Sequence, residues 1–374
     1  MDDTWRRLRS MRSNPPEFAS SSPRRELFSA ALEQAEQFFR AADSIGYETK
    51  PVMLYYGLSQ AVQGILAAKR DPRIDQQSAT SHGTYCSNHD QITSVGELKI
   101  RDARTRKGAP PKGGAFQLLA GALNSPTLTT STPLRQLWIS LPEGVELPPT
   151  NADDLFGAAL LERHDGQDYG KPFQPTTSRV AKLAHLPYHL MALDVAEVER
   201  QIIERYPALR NFCVMPNWQG CPDVAHWVLL LDPQGLRTSL SFDRRGRPME
   251  HSEMFGMIEL GPRAYSDGAA KSVWLPPTLT GNIAPLHPLA AWYAVLFGLS
   301  ELARYQPTMW AKAININISA DATALEHLMS TAHLACVNLI AELFEIRHPP
   351  TENQPEGWRR HNERVLTWQR QANP

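Results

Sequence analysis

A short polar segment holds the densest set of side chains that could do chemistry. Residues 81–90 contain His82, Cys86, His89 and Asp90. Zinc prefers such nitrogen, sulfur and oxygen ligands, but structural zinc sites bring paired cysteines or a second cluster at a defined spacing. The sequence offers no second cluster. We therefore predict no metal site and no cofactor, and we interpret the segment as a polar loop in which His82 keeps a binding role open.

Two other patterns are similar to those of enzymes that cleave nucleic acid. Asp90, followed by Glu97 and Lys99, resembles the carboxylates and lysine with which metal-dependent nucleases hold a cation and activate water. Arg179 and His185 have the spacing of the Arg and His that HEPN-type ribonucleases carry on a helix. Chance is the alternative for the first pattern. A surface helix with a capping histidine is the alternative for the second.

The strongest electrostatic signal is a run of cations in a stretch that contains Gly and Pro. Residues 99–112 hold six cations and a single carboxylate, Asp102. The cations are Lys99, Arg101, Arg104, Arg106, Lys107 and Lys112. Each could contact a phosphate and release a counterion. The segment is thus a candidate nucleic-acid-binding surface, against the alternative of a solvated loop.

Long apolar helices must position these side chains. A helix over 288–304 starts at a first-turn proline and is apolar on all sides, which predicts an interior helix. At its two ends, His287 and Arg304 are predicted to be structural, a buried hydrogen-bonded histidine and a cation that meets the helix dipole. The two residues are about 25 Å apart along the axis and cannot share one small-molecule site unless another element bridges them.

The order of several motifs along the chain identifies a family by resemblance. The motifs are 50–56 (Lys-Pro-x-x-Leu-Tyr-Tyr), 81–83 (Ser-His-Gly), 114–117 (Gly-Ala-Phe-Gln), 285–288 (Pro-Leu-His-Pro) and 299–305 (Leu-Ser-x-x-x-Arg-Tyr). This order resembles the YaaC-like family of bacterial proteins over most of the chain. The N-terminal helix pair also resembles the helical hairpins of HEPN-type proteins. The resemblance implies no activity and assigns no role to particular residues.

Composition narrows the class of protein. In 374 residues, 38 Lys and Arg nearly cancel 39 Asp and Glu, so no global field attracts nucleic acid or membrane. Apolar runs are interrupted before the ~18 residues that a membrane span needs. The four cysteines match no disulfide or zinc spacing. We therefore expect a cytoplasmic protein, and we leave homo-oligomer formation open.

Periodicity predicts an α+β fold, a mainly helical body with a central small antiparallel β segment. We expect an N-terminal helical hairpin over 1–70, a loop-rich region of short helices over 71–210, a β-containing segment over 211–280, and core helices over 281–374. The first and last of these are expected to form one compact unit. Short helices are expected at 115–123, 133–141 and 151–161, with Thr132 capping the second. Asp194 is expected to cap a helix that stops at Pro207.

Two hypotheses about function follow from these patterns. The favoured one is a binding or accessory protein that contacts nucleic acid or a partner protein in a bacterial stress or phage-defence system. The alternative is a nuclease, through Arg179 and His185 or through Asp90, Glu97 and Lys99. Whether the protein is an enzyme stays open at this point.

Overall fold

Helices from both ends of the chain form the main body of the protein. In this computed structural model the described residues are 2–71, 79–104, 113–163, 180–210, 212–216, 228–231 and 272–344. The α-helices are α1 (Asp2–Met11), α2 (Ser22–Asp43), α3 (Lys50–Lys69), α4 (Ala115–Ala122), α5 (Leu134–Ile139), α6 (Pro142–Glu146), α7 (Val195–Arg205), α8 (Pro288–Tyr305), α9 (Pro307–Ala313) and α10 (Ala322–Leu343). The strands are β1 (Thr84–Cys86), β2 (Lys99–Asp102), β3 (Thr132–Pro133), β4 (Ala159–Arg163), β5 (Val180–Ala184), β6 (Cys213–Pro216), β7 (Val228–Leu231) and β8 (Ser272–Leu275).

The N-terminal helices α2 and α3 form the expected antiparallel pair. Gly57 faces Phe39 near the loop end of the pair, and Gly64 faces Leu32 about two turns further along α3. A Cβ atom on Gly57 would lie 3.1 Å from the Phe39 ring. The missing side chain therefore lets the two helices approach closely at this point.

Helix α8 is the interior helix that its composition predicts. Almost all of its residues are buried, and Trp292 and Tyr293 are fully buried on different sides of it. Helix α3 packs along it, and both contribute to one hydrophobic core with α10. Burial of each large side chain contributes about 1.5–3 kcal/mol, so packing against this helix stabilises the elements that contact it.

Helix α1 is held to the body by buried polar contacts. Trp5 Nε1 donates to His333 Nε2 at 2.9 Å, and the Nδ1 atom of His333 lies 2.8 Å from Asp43 Oδ2. The buried carboxylate of Glu36 pairs with Arg9 and Arg40. These contacts satisfy groups that would otherwise be costly to bury.

The first sheet is small and antiparallel, in the order β1-β2-β3. Tyr85 of β1 lies opposite Arg101 of β2, and Lys99 lies opposite Pro133 of β3. Because side chains alternate along a strand, Tyr85 and Arg101 share the outer face, while their neighbours Cys86 and Ile100 enter the core. Residues 97–101 alternate at period two, which predicts a strand here, and β2 confirms it with a shift toward the C-terminal end.

A second antiparallel sheet has the order β6-β7-β5-β4-β8 and its own hydrophobic cluster with α7. The sequence also predicts strands at 212–215 and 227–231, and these are β6 and β7. Asp194 caps α7 by accepting a hydrogen bond from the Glu197 amide at 2.9 Å, as its capping box predicts. The sequence further predicts a strand at 236–242, from its period-two alternation, and a helix at 356–370; both ranges lie outside the described residues.

Three local predictions are wrong. The expected helix at 151–161 is a turn followed by β4, because turn formation near Asn151, whose φ is +60°, outweighs the acidic residues expected in a first helical turn. The segment before His185 is β5, not a helix. Thr132 belongs to β3 and does not cap α5, whose N-cap position is Pro133.

The fold class is nevertheless the expected one, a mainly helical α+β protein with antiparallel sheets. Within the described part of the chain, none of the helices combines the length and apolar character needed to cross a bilayer.

Candidate functional site

Three side chains from separate elements form a hydrogen-bonded group, which we call the His82 network: Tyr55, His82 and Tyr293. The Tyr55 hydroxyl, from α3, lies 2.6 Å from His82 Nδ1 and 3.0 Å from the Tyr293 hydroxyl of α8. Tyr293 in turn donates to the backbone carbonyl of His82 at 3.1 Å. The hydrogen bonds therefore form a closed ring that begins and ends at His82.

The network assigns the tautomer of His82. Tyr293 uses its only proton on the His82 carbonyl, so its oxygen accepts from Tyr55. Tyr55 then has no proton left for His82, and its oxygen accepts the Nδ1–H. The proton of neutral His82 is thus on Nδ1, and Nε2 carries a lone pair. No hydrogen bond joins Nε2 to the described residues.

Electrostatics keep the whole network neutral near pH 7. Burial of the ring lowers the pKa of His82, and the nearby charge of Arg304 lowers it further. Burial also raises the pKa of Tyr293 to about 12 and raises that of Tyr55 well above its ordinary value. His82 packs edge-on to Tyr55 and against Phe297, yet the residue as a whole is exposed to solvent.

The backbone around His82 is fixed by its neighbours. Gly83 has a φ of +77°, a conformation that favours glycine. Its carbonyl accepts from the Ala103 amide at 2.8 Å and from Gln117 Nε2 at 2.7 Å. The His82 carbonyl also accepts from the Phe116 amide at 3.1 Å. Side-chain orientation at His82 therefore rests on a rigid turn, as expected for a site that requires defined geometry.

Four of the motifs that carry the family resemblance meet at this place. Tyr55 belongs to 50–56, His82 to 81–83 and Gln117 to 114–117, while Arg304 of 299–305 is near enough for its charge to act on His82. The buried Oε1 atom of Gln117 has no hydrogen-bond partner among the described residues. Such an orphan acceptor is unusual in a buried position.

The fifth motif, 285–288, lies at the other end of α8. His287 Nδ1 accepts from the Leu289 amide at 3.1 Å and caps the helix, and burial lowers the pKa of His287 to about 4. The structural role predicted for His287 is confirmed, as is its separation from the Arg304 end of the helix.

Arg304 has the partners that its structural role predicts. Its Nε donates to the Ser300 carbonyl at 3.2 Å, and its guanidinium pairs with Glu301. The guanidinium also lies over the rings of Tyr56 and Tyr305. Arg304 thus joins local helix contacts to the edge of the His82 network.

The exposed face of the first sheet carries a second group, which we call the basic aromatic face: Tyr85, Lys99 and Arg101. Tyr85 is 48% exposed, and the Arg101 guanidinium lies 5.3 Å from the centre of its ring. Lys99 is exposed on the same strand as Arg101. Arg104 is exposed just beyond β2 and donates to the Thr129 carbonyl at 3.3 Å.

The remaining cations of the basic segment, Arg106, Lys107 and Lys112, lie outside the described residues. Sequence reasoning selected Lys99, Arg101 and His82 but missed Tyr85, Tyr55, Tyr293 and Gln117. The two buried tyrosines gave a usable signal, because a tyrosine on an all-apolar helix needs a partner for its hydroxyl. Tyr85 gave none, because its exposure depends on the strand register.

The carboxylates proposed for a metal-dependent nuclease have other partners. Glu97 Oε2 accepts from the Thr93 amide at 2.9 Å and from its hydroxyl, which lowers the pKa of the Glu97 carboxyl. Asp90 accepts from Gln306. Among the residues that the structure describes, no three His, Cys, Asp or Glu side chains are grouped closely enough to hold a metal ion.

The HEPN-like pairing of Arg179 with His185 requires a helix, but the residues between them form a strand. Residues 180–184 form β5, which pairs with β4 and β7 in the middle of the second sheet. His185 follows with a φ of +63° and stacks against Trp274. Arg179 lies outside the described residues. The helical Arg–His spacing therefore does not apply, because strand pairing decided the local structure.

Comparison with known proteins gives one match. The family described as YaaC-like Protein matches residues 3–344. Neither the curated proteins nor the solved structures contain a match to this chain.

Proposed function

The chain belongs to the YaaC-like family, and we propose that it binds single-stranded nucleic acid through the basic aromatic face. The observation that carries this proposal is the pair of exposed Tyr85 and half-buried Arg101, directly opposite each other on β1 and β2. Single-strand-binding proteins combine aromatic rings that stack on bases with cations that contact phosphates. An exposed sheet face can offer both together.

The charge distribution supports the same proposal. The chain has a net charge of −1, so binding must come from a local group of cations. Lys99 and Arg101 extend from β2, and Arg104 follows at its end. Lys99 and Arg101 alternate with buried residues of β2 and so share one face, where both can contact the same phosphate backbone. Tyr85 of β1 lies opposite Arg101 on that face.

Binding of a fluorescently labelled single strand of about 12 nucleotides, measured by anisotropy, tests the proposal. Tyr85→Ala should weaken binding by about 1–3 kcal/mol through loss of stacking. Arg101→Ala should weaken it and make it less dependent on salt. The double variant Arg104→Ala, Arg106→Ala should act in the same way.

Tyr188→Ala is the matched control, since Tyr188 is a tyrosine of similar exposure beside the second sheet. Its binding should equal that of the wild type. If Tyr85→Ala and Tyr188→Ala bind alike, the basic aromatic face is not the binding surface. Binding to a protein partner would then be the form of the hypothesis to test.

A further inference from the structure

The His82 network lies at the end of the basic aromatic face. Strand β1 begins at Thr84, two residues after His82, and Gly83 between them makes the turn with its φ of +77°. The Ala103 amide donates to the Gly83 carbonyl, so the next residue, Arg104, begins beside the end of β1 that is nearer to His82. The cations on β2 thus run from the Ser87 end of β1 toward His82.

The chemistry of His82 is that of a base. Its Nδ1–H is held by Tyr55, which fixes the ring of this solvent-exposed residue and leaves the Nε2 lone pair without a hydrogen bond to the described residues. A histidine oriented through one nitrogen is the usual arrangement for proton abstraction by the other. The residues that face it, Tyr55 and Tyr293 with Arg304 nearby, include no carboxylate hydrogen-bonded to the ring.

We propose that His82 is the general base of a ribonuclease site that cleaves RNA bound at the basic aromatic face. This inference rests on the proposed function above. RNA is the substrate class because its 2′-hydroxyl offers a proton that DNA lacks. Tyr55 and Tyr293 are positioning residues, because they act on the substrate only through His82.

The reaction balances without any further reagent except water. Nε2 takes the proton of the 2′-hydroxyl, and the 2′-oxygen forms a bond to the adjacent phosphorus. The bond from phosphorus to the 5′-oxygen breaks, and the departing oxygen takes a proton from water. His82 then returns its proton to solvent. The products are a 2′,3′-cyclic phosphate and a 5′-hydroxyl end.

Cleavage and binding are measured on the same full-length protein with single-stranded RNA, in the presence of a chelator. Wild type should yield 2′,3′-cyclic phosphate ends on RNA and leave DNA of the same sequence intact. His82→Asn should reduce the rate by about 10²–10⁴-fold, the range typical of a lost general base. Asn can still donate to Tyr55, so both the melting temperature and RNA binding should stay close to wild type.

The pH profile separates positioning from structure. The wild-type rate should rise with pH and level off above 6.5, because the pKa of His82 is lowered from that value. Tyr55→Phe removes the acceptor for Nδ1–H and should both slow cleavage and shift this profile. Tyr188→Ala, outside the network, should leave rate and profile unchanged.

Every outcome decides between the two proposals. Binding without cleavage by wild type overturns the ribonuclease site and leaves the binding function standing. Cleavage that persists in His82→Asn also overturns it, because the activity then has another source. Absence of both binding and cleavage overturns both proposals.

Discussion

At the scale of single residues, hydrogen bonds decide what each histidine can do. His82 gives its Nδ1–H to Tyr55 and its Nε2 has no hydrogen bond to the described residues, whereas His287 Nδ1 accepts from the Leu289 amide. His333 uses both nitrogens, one for Trp5 and one for Asp43. Of these three, only His82 combines a ring fixed through Nδ1, a solvent-exposed residue and an Nε2 atom without a hydrogen bond to the described residues.

Arg304→Ala tests the structural role of Arg304. The variant loses the bond to the Ser300 carbonyl and leaves the half-buried Glu301 without its cation. We expect its free energy of unfolding, from urea denaturation, to fall by about 1–3 kcal/mol. Binding at the basic aromatic face should persist in the folded variant.

A second consequence of this substitution concerns His82. Because the charge of Arg304 lowers the pKa of His82, its removal should raise that pKa and move any pH profile of cleavage to higher pH. Arg304→Lys, which keeps the charge, should keep the profile. A variant with wild-type stability and no function would instead move Arg304 into the site itself.

At the scale of elements, the start of α8 links stability to pH. The folded pKa of His287 is about 4, below its ordinary 6.5, so the unfolded chain binds its proton first as pH falls. The contribution of His287 is therefore complete above 6.5 and is lost between 6.5 and 4. At about 1.4 kcal/mol per pH unit, the loss is on the order of 3 kcal/mol.

His287→Asn is the matching variant, because Asn is a good N-cap residue and does not titrate. Unfolding of the two proteins should be compared from pH 7 to pH 4. The difference in unfolding free energy between them should change by roughly the amount above. Parallel curves would mean that His287 is protonated equally in the folded and unfolded chains.

The elements also show what the sequence can predict. Helices α3 and α8 were predictable because a first-turn proline and apolar periodicity agree with burial, and α10 was predictable from apolar periodicity alone. Strand β5 was not, since the pairing of residues 180–184 with two other strands overrode the local pattern. The motif 81–83 was visible, but its meeting with Tyr55 and Gln117 depends on long-range packing that spacing does not encode.

At the scale of the whole molecule, the described residues form a helical body and two antiparallel sheets. The interior helices carry most of the core, and the second sheet forms a cluster of its own with α7. One face of the first sheet packs on that body, where Ile100 is buried, and the other faces solvent, where Tyr85 is exposed. The candidate surface and the His82 network therefore rest on the main hydrophobic core, to which Ile100, Tyr55 and Tyr293 belong.

In this near-neutral protein, we expect a few local cations to bind single-stranded nucleic acid. The most direct test is the affinity of the wild-type protein for single-stranded RNA from about 50 to 200 mM salt. Three phosphate contacts, by Lys99, Arg101 and Arg104, predict a slope of log affinity against log salt of about −2. The slope should be steeper with each further contact. Equal and negligible binding across that range would contradict the account.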